Sequence, residues 1–322
     1  MKYTQETKDP IVKLSNQGWS SREIAGYLNI SKSGVNGYLQ GLSEGFIQVA
    51  FPDVKIEPKE VTKPKVLVFD IETACTVAGV FGRFKQNIGQ ANVIQEGGWL
   101  LTVAYKWLGE HETHVLAFEN EILAASDLSL CEELHKLYAQ ADAVIAHNAP
   151  FDHKMLQTRC LINGLKPLPT VKVIDTLQMA RKNFRFNSNR LDSLGELLGL
   201  GGKEKHEGMK MWLDVQQGDL DALDRMKSYN VRDVDLLEEV YYKLRSLGHQ
   251  ATLFNAGLYF DDGKHHCNVC GSEHVAKTGN PVYTALSEFE EYECRDCGAK
   301  MRGRDAKNTK AQRSKLLTSI VN

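Results

Sequence analysis

The chain lacks long apolar runs and any large excess of charge of one sign. No run approaches the roughly 20 apolar residues that a membrane-spanning helix needs, so no membrane partner is expected. The net charge of −2 argues against a protein that coats nucleic acid by bulk electrostatics, although it leaves local basic patches open. The first residues have no apolar signal-peptide core, so we expect a cytoplasmic protein, in the host cytoplasm if the source is viral.

Cysteine is scarce except near the carboxyl end of the chain. Four of the seven cysteines form two CxxC pairs separated by 23 residues, each followed by glycine: Cys267, Cys270, Cys294 and Cys297. In a reducing compartment this pattern favours a metal over disulfides. Four thiolates suit one structural Zn²⁺, and the pairs resemble the zinc ribbons of nucleic-acid enzymes. Replacement of one thiolate by His265 or His266 is the alternative.

The first forty residues predict two or three short helices. Ser20 and Glu23 form a capping box that begins one helix, and Ser31 can cap the next. This arrangement resembles a helix-turn-helix, which would direct Lys32 and Asn36 of the second helix into a DNA groove. A helical protein-docking module is the alternative.

Beyond a linker rich in proline and charge, strands come first and then alternate with helices. KVLVFDIET is typical of a buried strand that ends in acidic residues. WLLTVAYKWL and THVLAFE predict a hairpin, and short apolar strands then alternate with amphipathic helices up to a long helix at about 219–247. The pattern predicts an α/β domain with a mixed sheet and helices on both faces, similar to ribonuclease H.

Asp70 and Glu72 carry the first chemical signal. A lone D-x-E pair is common on charged surfaces, but this pair ends an apolar strand, where alternation puts both side chains on one face. Carboxylates so close repel each other, so the pair implies raised pKa values or a bound cation.

Three motifs, in order, resemble the DEDD superfamily of exonucleases. They are FDIET with Asp70 and Glu72, HNAPFDHKML with Asp152, and YNVRDVDLL with Tyr229 and Asp233. Tyrosine four residues before the last aspartate shares its helix face and indicates the DEDDy branch. The resemblance covers about residues 64–247 and extends to the exonuclease domains of family B polymerases and related stand-alone or viral proteins.

The resemblance implies a 3′–5′ exonuclease with two Mg²⁺ or Mn²⁺ ions about 4 Å apart. Asp70 would bridge both ions, and Glu72 and Asp233 would complete the site that holds the nucleophilic water. Asp152 would hold the second ion largely through water. Tyr229 would orient the attacking water, because its ordinary pKa of about 10 makes it a poor base at neutral pH. Other aspartates are expected to be helix caps or surface charge: Asp175, Asp192, Asp219, Asp221 and Asp235.

Nucleic-acid contacts are expected near the motifs. Thr73 ends the first motif, and Asn148 or its neighbour His147 is expected either to orient the metal site or to make a core hydrogen bond. Phe151 resembles the aromatic residue that packs against the terminal base, with a core phenylalanine as the alternative. Arg83 lies in FGRFK, whose aromatic and basic residues suit a single strand, or else an ordinary loop.

The function predicted from these motifs is a metal-dependent 3′–5′ exonuclease acting on DNA more readily than RNA. A role in proofreading or replication, with a DNA polymerase or another replication protein as partner, is the associated expectation. An RNA exonuclease and an inactive DNA-binding protein are the alternatives. KMRGRDAKNTKAQRSK could track phosphates or form a solvated tail. The predicted domains are a helix-turn-helix-like domain at 1–45, a linker at 46–64, an exonuclease domain at 65–250, a zinc ribbon at 260–304 and a basic tail at 305–322.

Overall fold

The structure is a computed structural model, and the chain divides into two compact units, Met1–Glu60 and Val61–Asn322. Arg83 and the predicted linker up to residue 62 lie outside the described residues. No helix in the described part of the chain is long and apolar enough to cross a membrane. The residues that the structure describes are 11, 14–15, 19–36, 39–40, 63–82, 84–202, 208–247, 254–318 and 320.

In the first unit, helix α1 spans Ser21–Leu28. Ser20 is its N-cap, and the reciprocal hydrogen bonds between Ser20 and Glu23 confirm the predicted capping box. Residues 32–36 are helical as well, and Ser31 caps them by accepting a hydrogen bond from a backbone amide. A small apolar core packs these helices: Ile11, Ile24, Ala25 and Val35.

The second unit contains the longer elements. The strands of its described residues are β1 (Val66–Thr73), β2 (Val77–Ala78), β3 (Val93–Gln95), β4 (Leu100–Trp107), β5 (His114–Leu116), β6 (Ala143–Ala146), β7 (Lys172–Asp175), β8 (Val275–Tyr283), β9 (Glu288–Cys294) and β10 (Lys300–Ala306). Its helices are α2 (Glu119–Leu123), α3 (Leu128–Gln140), α4 (Ala149–Ile162), α5 (Thr176–Asn183), α6 (Leu191–Leu197), α7 (Met209–Gln216), α8 (Leu220–Leu244) and α9 (Lys310–Arg313).

A five-stranded sheet in the order β5-β4-β1-β6-β7 forms the centre of this unit. Strand β1 pairs antiparallel with β4 and parallel with β6, so the sheet is mixed as predicted. The predicted hairpin is confirmed, because β4 pairs antiparallel with β5. β1 is the middle strand, which explains why its first residues are apolar on both faces.

Helices cover both faces of the sheet, which confirms the predicted fold class. Val66 and Val68 of β1 belong to a core cluster with residues of α5, α6 and α8. Leu67 and Phe69 belong to a second cluster with α3 and α4. Because alternate residues of a strand face opposite sides, the even-numbered Asp70 is on the α8 side of the sheet.

The carboxyl-terminal part contains a three-stranded sheet in the order β10-β9-β8. Strand β10 begins the basic stretch that was expected to be a phosphate-binding segment or a solvated tail, and it pairs antiparallel with β9. Helix α9 follows in the same stretch. The stretch is therefore partly a sheet edge, which differs from the expected tail because its cations project from a paired strand.

Candidate functional site

Three carboxylates converge where β1 meets α8. Asp70 and Glu72 project from one face of β1, and Asp233 projects from α8, which packs against that face. One carboxylate oxygen of each residue lies within 4.8 Å of the others. Asp233 is almost fully buried. Since three acidic groups so close repel each other, this geometry suits an oxygen-binding divalent cation.

Asp152 approaches the same place from the first turn of α4. It is 3 % exposed, and its carboxylate accepts a hydrogen bond from the backbone amide of Ile71. Burial raises the pKa of Asp152 well above its ordinary value, and the negative charges of Asp70 and Glu72 raise it further. Asp152 is not part of the tight group of three, but it lies in the electrostatic field of that group.

Asn230 holds Asp70 in place, and the sequence motifs did not single it out. Its Nδ2 atom donates to Oδ2 of Asp70 at 2.8 Å, and its Oδ1 atom accepts from the Thr102 hydroxyl at 2.9 Å. Asn230 and Thr102 are both fully buried. The signal available in the sequence was its position next to Tyr229 within the third motif.

Trp212 of α7 makes the equivalent contact with the second carboxylate. Its indole Nε1 atom donates to Oε2 of Glu72 at 3.1 Å. The indole ring also meets the Tyr229 ring edge to face, with centroids 6.0 Å apart. Tyr229 is 7 % exposed and lies one turn before Asp233 on α8. No pattern in the sequence pointed to Trp212, since α7 lies outside the three motifs.

His147 and Asn148, the first two residues of the second motif, are held by hydrogen bonds. The two ring nitrogens of His147 lie 2.8 Å from the Thr176 hydroxyl and 2.9 Å from the Asn189 carbonyl oxygen. Asn148 has a left-handed backbone conformation, and its backbone N–H donates a hydrogen bond to Oδ1 of Asp175. His147 therefore makes the structural hydrogen bonds that were the alternative to metal orientation. A cavity of about 450 Å³ opens beside both residues.

The remaining expected nucleic-acid contacts differ in their surroundings. Phe151 is 47 % exposed, so the alternative of a core phenylalanine is wrong. Thr73 lies at the β-bulge where the pairing of β1 with β4 shifts. Lys32 and Asn36 are exposed in the first unit, and Arg83 lies outside the described residues.

Two of the aspartates set aside as caps are confirmed as such, and one differs. Asp175 caps α5, and Asp219 caps α8. Asp235 instead pairs with Lys106, a buried lysine of β4, at 3.2 Å. Asp235 is therefore neither a cap nor simple surface charge, because it compensates a buried cation.

The four carboxyl-terminal cysteines form a second cluster. Their four sulfur atoms lie within 4.8 Å of one another, with Cys267 and Cys297 3.6 Å apart and Cys270 and Cys294 3.7 Å apart. A tetrahedral ion with Zn–S bonds of about 2.3 Å requires sulfur separations of about 3.8 Å. Gly271 and Gly298 have positive φ angles of 77° and 72°, which the tight turn after each CxxC pair requires. The cluster fits a tetrahedral thiolate-bound metal.

Comparison with known proteins supports a nuclease. The RNase_T exonuclease family matches residues 121–210, a span that includes Asp152 but neither β1 nor α8. No curated protein sequence matches the chain. A solved structure titled "3'-end specific recognition of histone mRNA stem-loop by 3'-exonuclease" is 11 % identical, covering 84 % of this chain and 99 % of that one. Its TM-score of 0.31 is too low to support any argument. The central domain thus contains a segment similar to exonucleases within a ribonuclease H-like mixed sheet.

Proposed function

We propose that the domain around the five-stranded sheet is a metal-dependent 3′–5′ exonuclease acting on DNA. The observation that supports this most is the convergence of Asp70, Glu72 and Asp233 within 4.8 Å, with buried Asp152 beside them. Carboxylates held together in this way bind hard divalent cations through oxygen. The match to an exonuclease family over residues 121–210 agrees with phosphodiester hydrolysis as the reaction.

The motif resemblance implies a role for each carboxylate. Asp70 would be a ligand of both cations, Glu72 and Asp233 would complete the site that holds the nucleophilic water, and Asp152 would hold the second cation. Two Mg²⁺ or Mn²⁺ ions bound there would supply an activated water and neutralise the leaving 3′ oxygen. Asn230 donates to Asp70 and so fixes the orientation of that carboxylate before any ligand binds.

Tyr229 would orient the attacking water. It lies one helical turn before Asp233 and is packed against the ring of Trp212, which limits its rotation. A phenol O–H can donate a hydrogen bond to that water, so the role proposed for Tyr229 is orientation.

The test uses a 5′-labelled single-stranded DNA oligonucleotide with Mg²⁺. The unmodified protein should shorten it stepwise from the 3′ end, whereas the Asp70→Ala and Glu72→Ala variants should not. Asp221→Asn, on the first turn of α8, is the matched control and should degrade DNA normally. If the folded, unmodified protein shortens neither this DNA nor an RNA oligonucleotide of the same sequence, the enzyme proposal is lost and an inactive DNA-binding protein takes its place.

The preference for DNA over RNA requires its own comparison. Matched DNA and RNA oligonucleotides of one sequence should give a higher kcat/KM on DNA. A higher value on RNA would transfer the same chemistry to an RNA exonuclease. Association with a DNA polymerase or another replication protein is proposed from the motif resemblance alone.

The two ends of the chain are proposed to assist binding. The four cysteines would hold one structural Zn²⁺, giving a zinc ribbon built on β8, β9 and β10. Lys32 and Asn36, both exposed on the second helical segment of the first unit, would contact DNA as in a helix-turn-helix. Replacing both by alanine should weaken binding of duplex DNA and leave hydrolysis of short single strands unchanged.

A further inference from the structure

An arm of 26 residues leaves the sheet beside the carboxylates. The arm comprises residues 74–99, between the end of β1 and the start of β4. Within it, β2 pairs antiparallel with β3. Farther along the arm, Gly79 and Asn92 exchange hydrogen bonds across the two sides. The arm is therefore a hydrogen-bonded projection whose base lies two residues beyond Glu72.

The base of the arm is a narrow neck. The Ala74 amide donates to the Trp99 carbonyl oxygen, and the Gly98 amide donates to the Ala74 carbonyl oxygen, both at 2.8 Å. A side chain at Gly97 would place its Cβ atom 2.4 Å from the backbone of Cys75 and Thr76. Only glycine fits there without moving the neck, because real Cβ atoms do not approach backbone so closely.

Helix α7 connects this neck to the carboxylate site. Gln216 is 8 % exposed and forms a reciprocal pair with the Cys75 backbone: the Cys75 amide donates to Oε1, and Nε2 donates to the Cys75 carbonyl oxygen. One turn earlier on α7, Trp212 donates to Glu72. The same helix thus fixes the position of the arm and of a proposed metal ligand.

The outer part of the arm has an unusual surface. Phe81 is fully exposed and Phe84 is 86 % exposed, with Ile88 and Ile94 also exposed. The charged residues of the arm are Arg83, Lys85 and Glu96, and Glu96 accepts a hydrogen bond from the Gln90 side chain. Lys85 follows Phe84 directly, and exposed aromatic rings beside a cation match an anionic polymer that presents flat apolar faces.

We propose that the arm is a stacking platform for the bases of a single-stranded nucleic acid whose 3′ end lies at the carboxylates. The proposal rests on the proposed exonuclease function. Phe81 and Phe84 take unpaired bases, and Lys85 contacts the backbone phosphates. Bases in a duplex are already stacked on one another, so the platform favours single strands. The neck and α7 keep this platform in a fixed relation to the site of hydrolysis.

The test is the Phe81→Ala/Phe84→Ala double variant, with Leu161→Ala/Ile162→Ala as the matched control. The control removes two exposed apolar side chains from the end of α4, away from the arm. Binding of a fluorescein-labelled 20-nucleotide single strand is followed by anisotropy in Ca²⁺, and thermal melting checks folding. The arm variant should bind at least tenfold more weakly, and the control should bind normally. Tryptophan at both arm positions should restore binding.

An oligonucleotide carrying abasic residues identifies the contact. It should bind the unmodified protein weakly and lose no further affinity in the alanine variant. The proposal would be overturned if the alanine variant bound the normal strand as tightly as the unmodified protein does. It would also be overturned if the alanine substitutions lowered affinity for the abasic strand as much as they lower affinity for the normal strand. Hydrolysis in Mg²⁺ is measured separately. If the unmodified protein binds the strand but does not cut it, the proposed exonuclease function is wrong. If it cuts the strand and the arm variant binds normally, only the stacking platform is wrong.

Discussion

The indole Nε1 atom of Trp212 donates a hydrogen bond of 3.1 Å to Oε2 of Glu72, across 140 residues of sequence. Asn230 makes the corresponding bond to Oδ2 of Asp70. Each of the two strand carboxylates is thus oriented by a neutral donor from a different helix. Neutral donors fix direction without cancelling the negative charge that attracts cations.

Replacing Trp212 by phenylalanine should weaken metal binding without unfolding the protein. The ring contact with Tyr229 is retained, while the hydrogen bond to Glu72 is lost. Outer contacts of this kind typically change metal affinity by about tenfold or more. The measurement is the Mg²⁺ concentration that half-saturates hydrolysis, together with Mn²⁺ affinity by calorimetry. Trp107→Phe is the control, and an unchanged metal requirement in Trp212→Phe would contradict the expectation.

Removing the amide of Asn230 should affect stability and metal binding together. Asn230→Ala leaves the buried Thr102 hydroxyl without this acceptor, which costs about 1–3 kcal/mol of unfolding free energy. It also removes the donor to Asp70, so Mn²⁺ affinity should fall. Thr102→Val removes only the outer bond and should give the same changes at smaller size. Urea unfolding measures the stability and calorimetry measures the Mn²⁺ affinity. A larger effect in Thr102→Val than in Asn230→Ala would contradict the proposed hydrogen-bond series from Thr102 through Asn230 to Asp70.

Lys106→Met should destabilise the domain strongly. Lys106 is buried in β4 and pairs with Glu238 at 2.9 Å and with Asp235 at 3.2 Å. Burial lowers the pKa of Lys106, but the bonds and charges of Glu238 and Asp235 outweigh it and raise the pKa overall. Loss of one partner of a buried pair costs about 3–5 kcal/mol. Adding Glu238→Gln should recover part of this loss in urea unfolding, whereas exposed Lys136→Met should change little.

The cysteine cluster predicts about one tightly held Zn²⁺ per chain after dialysis. Cys294→Ser should lose the metal and lower the melting temperature. Three thiolates bind Zn²⁺ more weakly than four, and without the metal the strands that carry the cysteines are no longer held together. Cys75→Ser, whose side chain lies outside the cluster, should keep the metal. Elemental analysis beside thermal melting decides the matter, and zinc retained by Cys294→Ser would rule the site out.

Strong local patterns made much of the fold predictable from sequence. The apolar run before Asp70 and the alternation of strands with helices indicated the mixed sheet, because a central strand must be apolar on both faces. The cap at Ser20 followed from side-chain chemistry within four residues. Strand β10 was missed because most of its seven residues are charged or glycine, which leaves no apolar alternation in the sequence to detect.

The site was less predictable wherever it depended on distant packing. The motif order suggested which carboxylates should meet, but Trp212 reaches Glu72 only because α7 packs against α8, a contact that no local pattern encodes. Phe151 illustrates the opposite case. Its neighbours in sequence are typical of a helix, and only the position of α4 on the sheet decides that its ring faces solvent.

Helix α8 contacts β4 at two positions along the helix axis. Asn230 accepts a hydrogen bond from Thr102, and Glu238 and Asp235 form ion pairs with Lys106. Each residue of an α-helix advances it by about 1.5 Å and turns it by about 100°. A shift of α8 by one residue relative to β4 would therefore break both sets of contacts and rotate Asp233 away from β1. Because the two contacts lie at different positions along α8, together they fix both its rotation about its axis and its position along that axis.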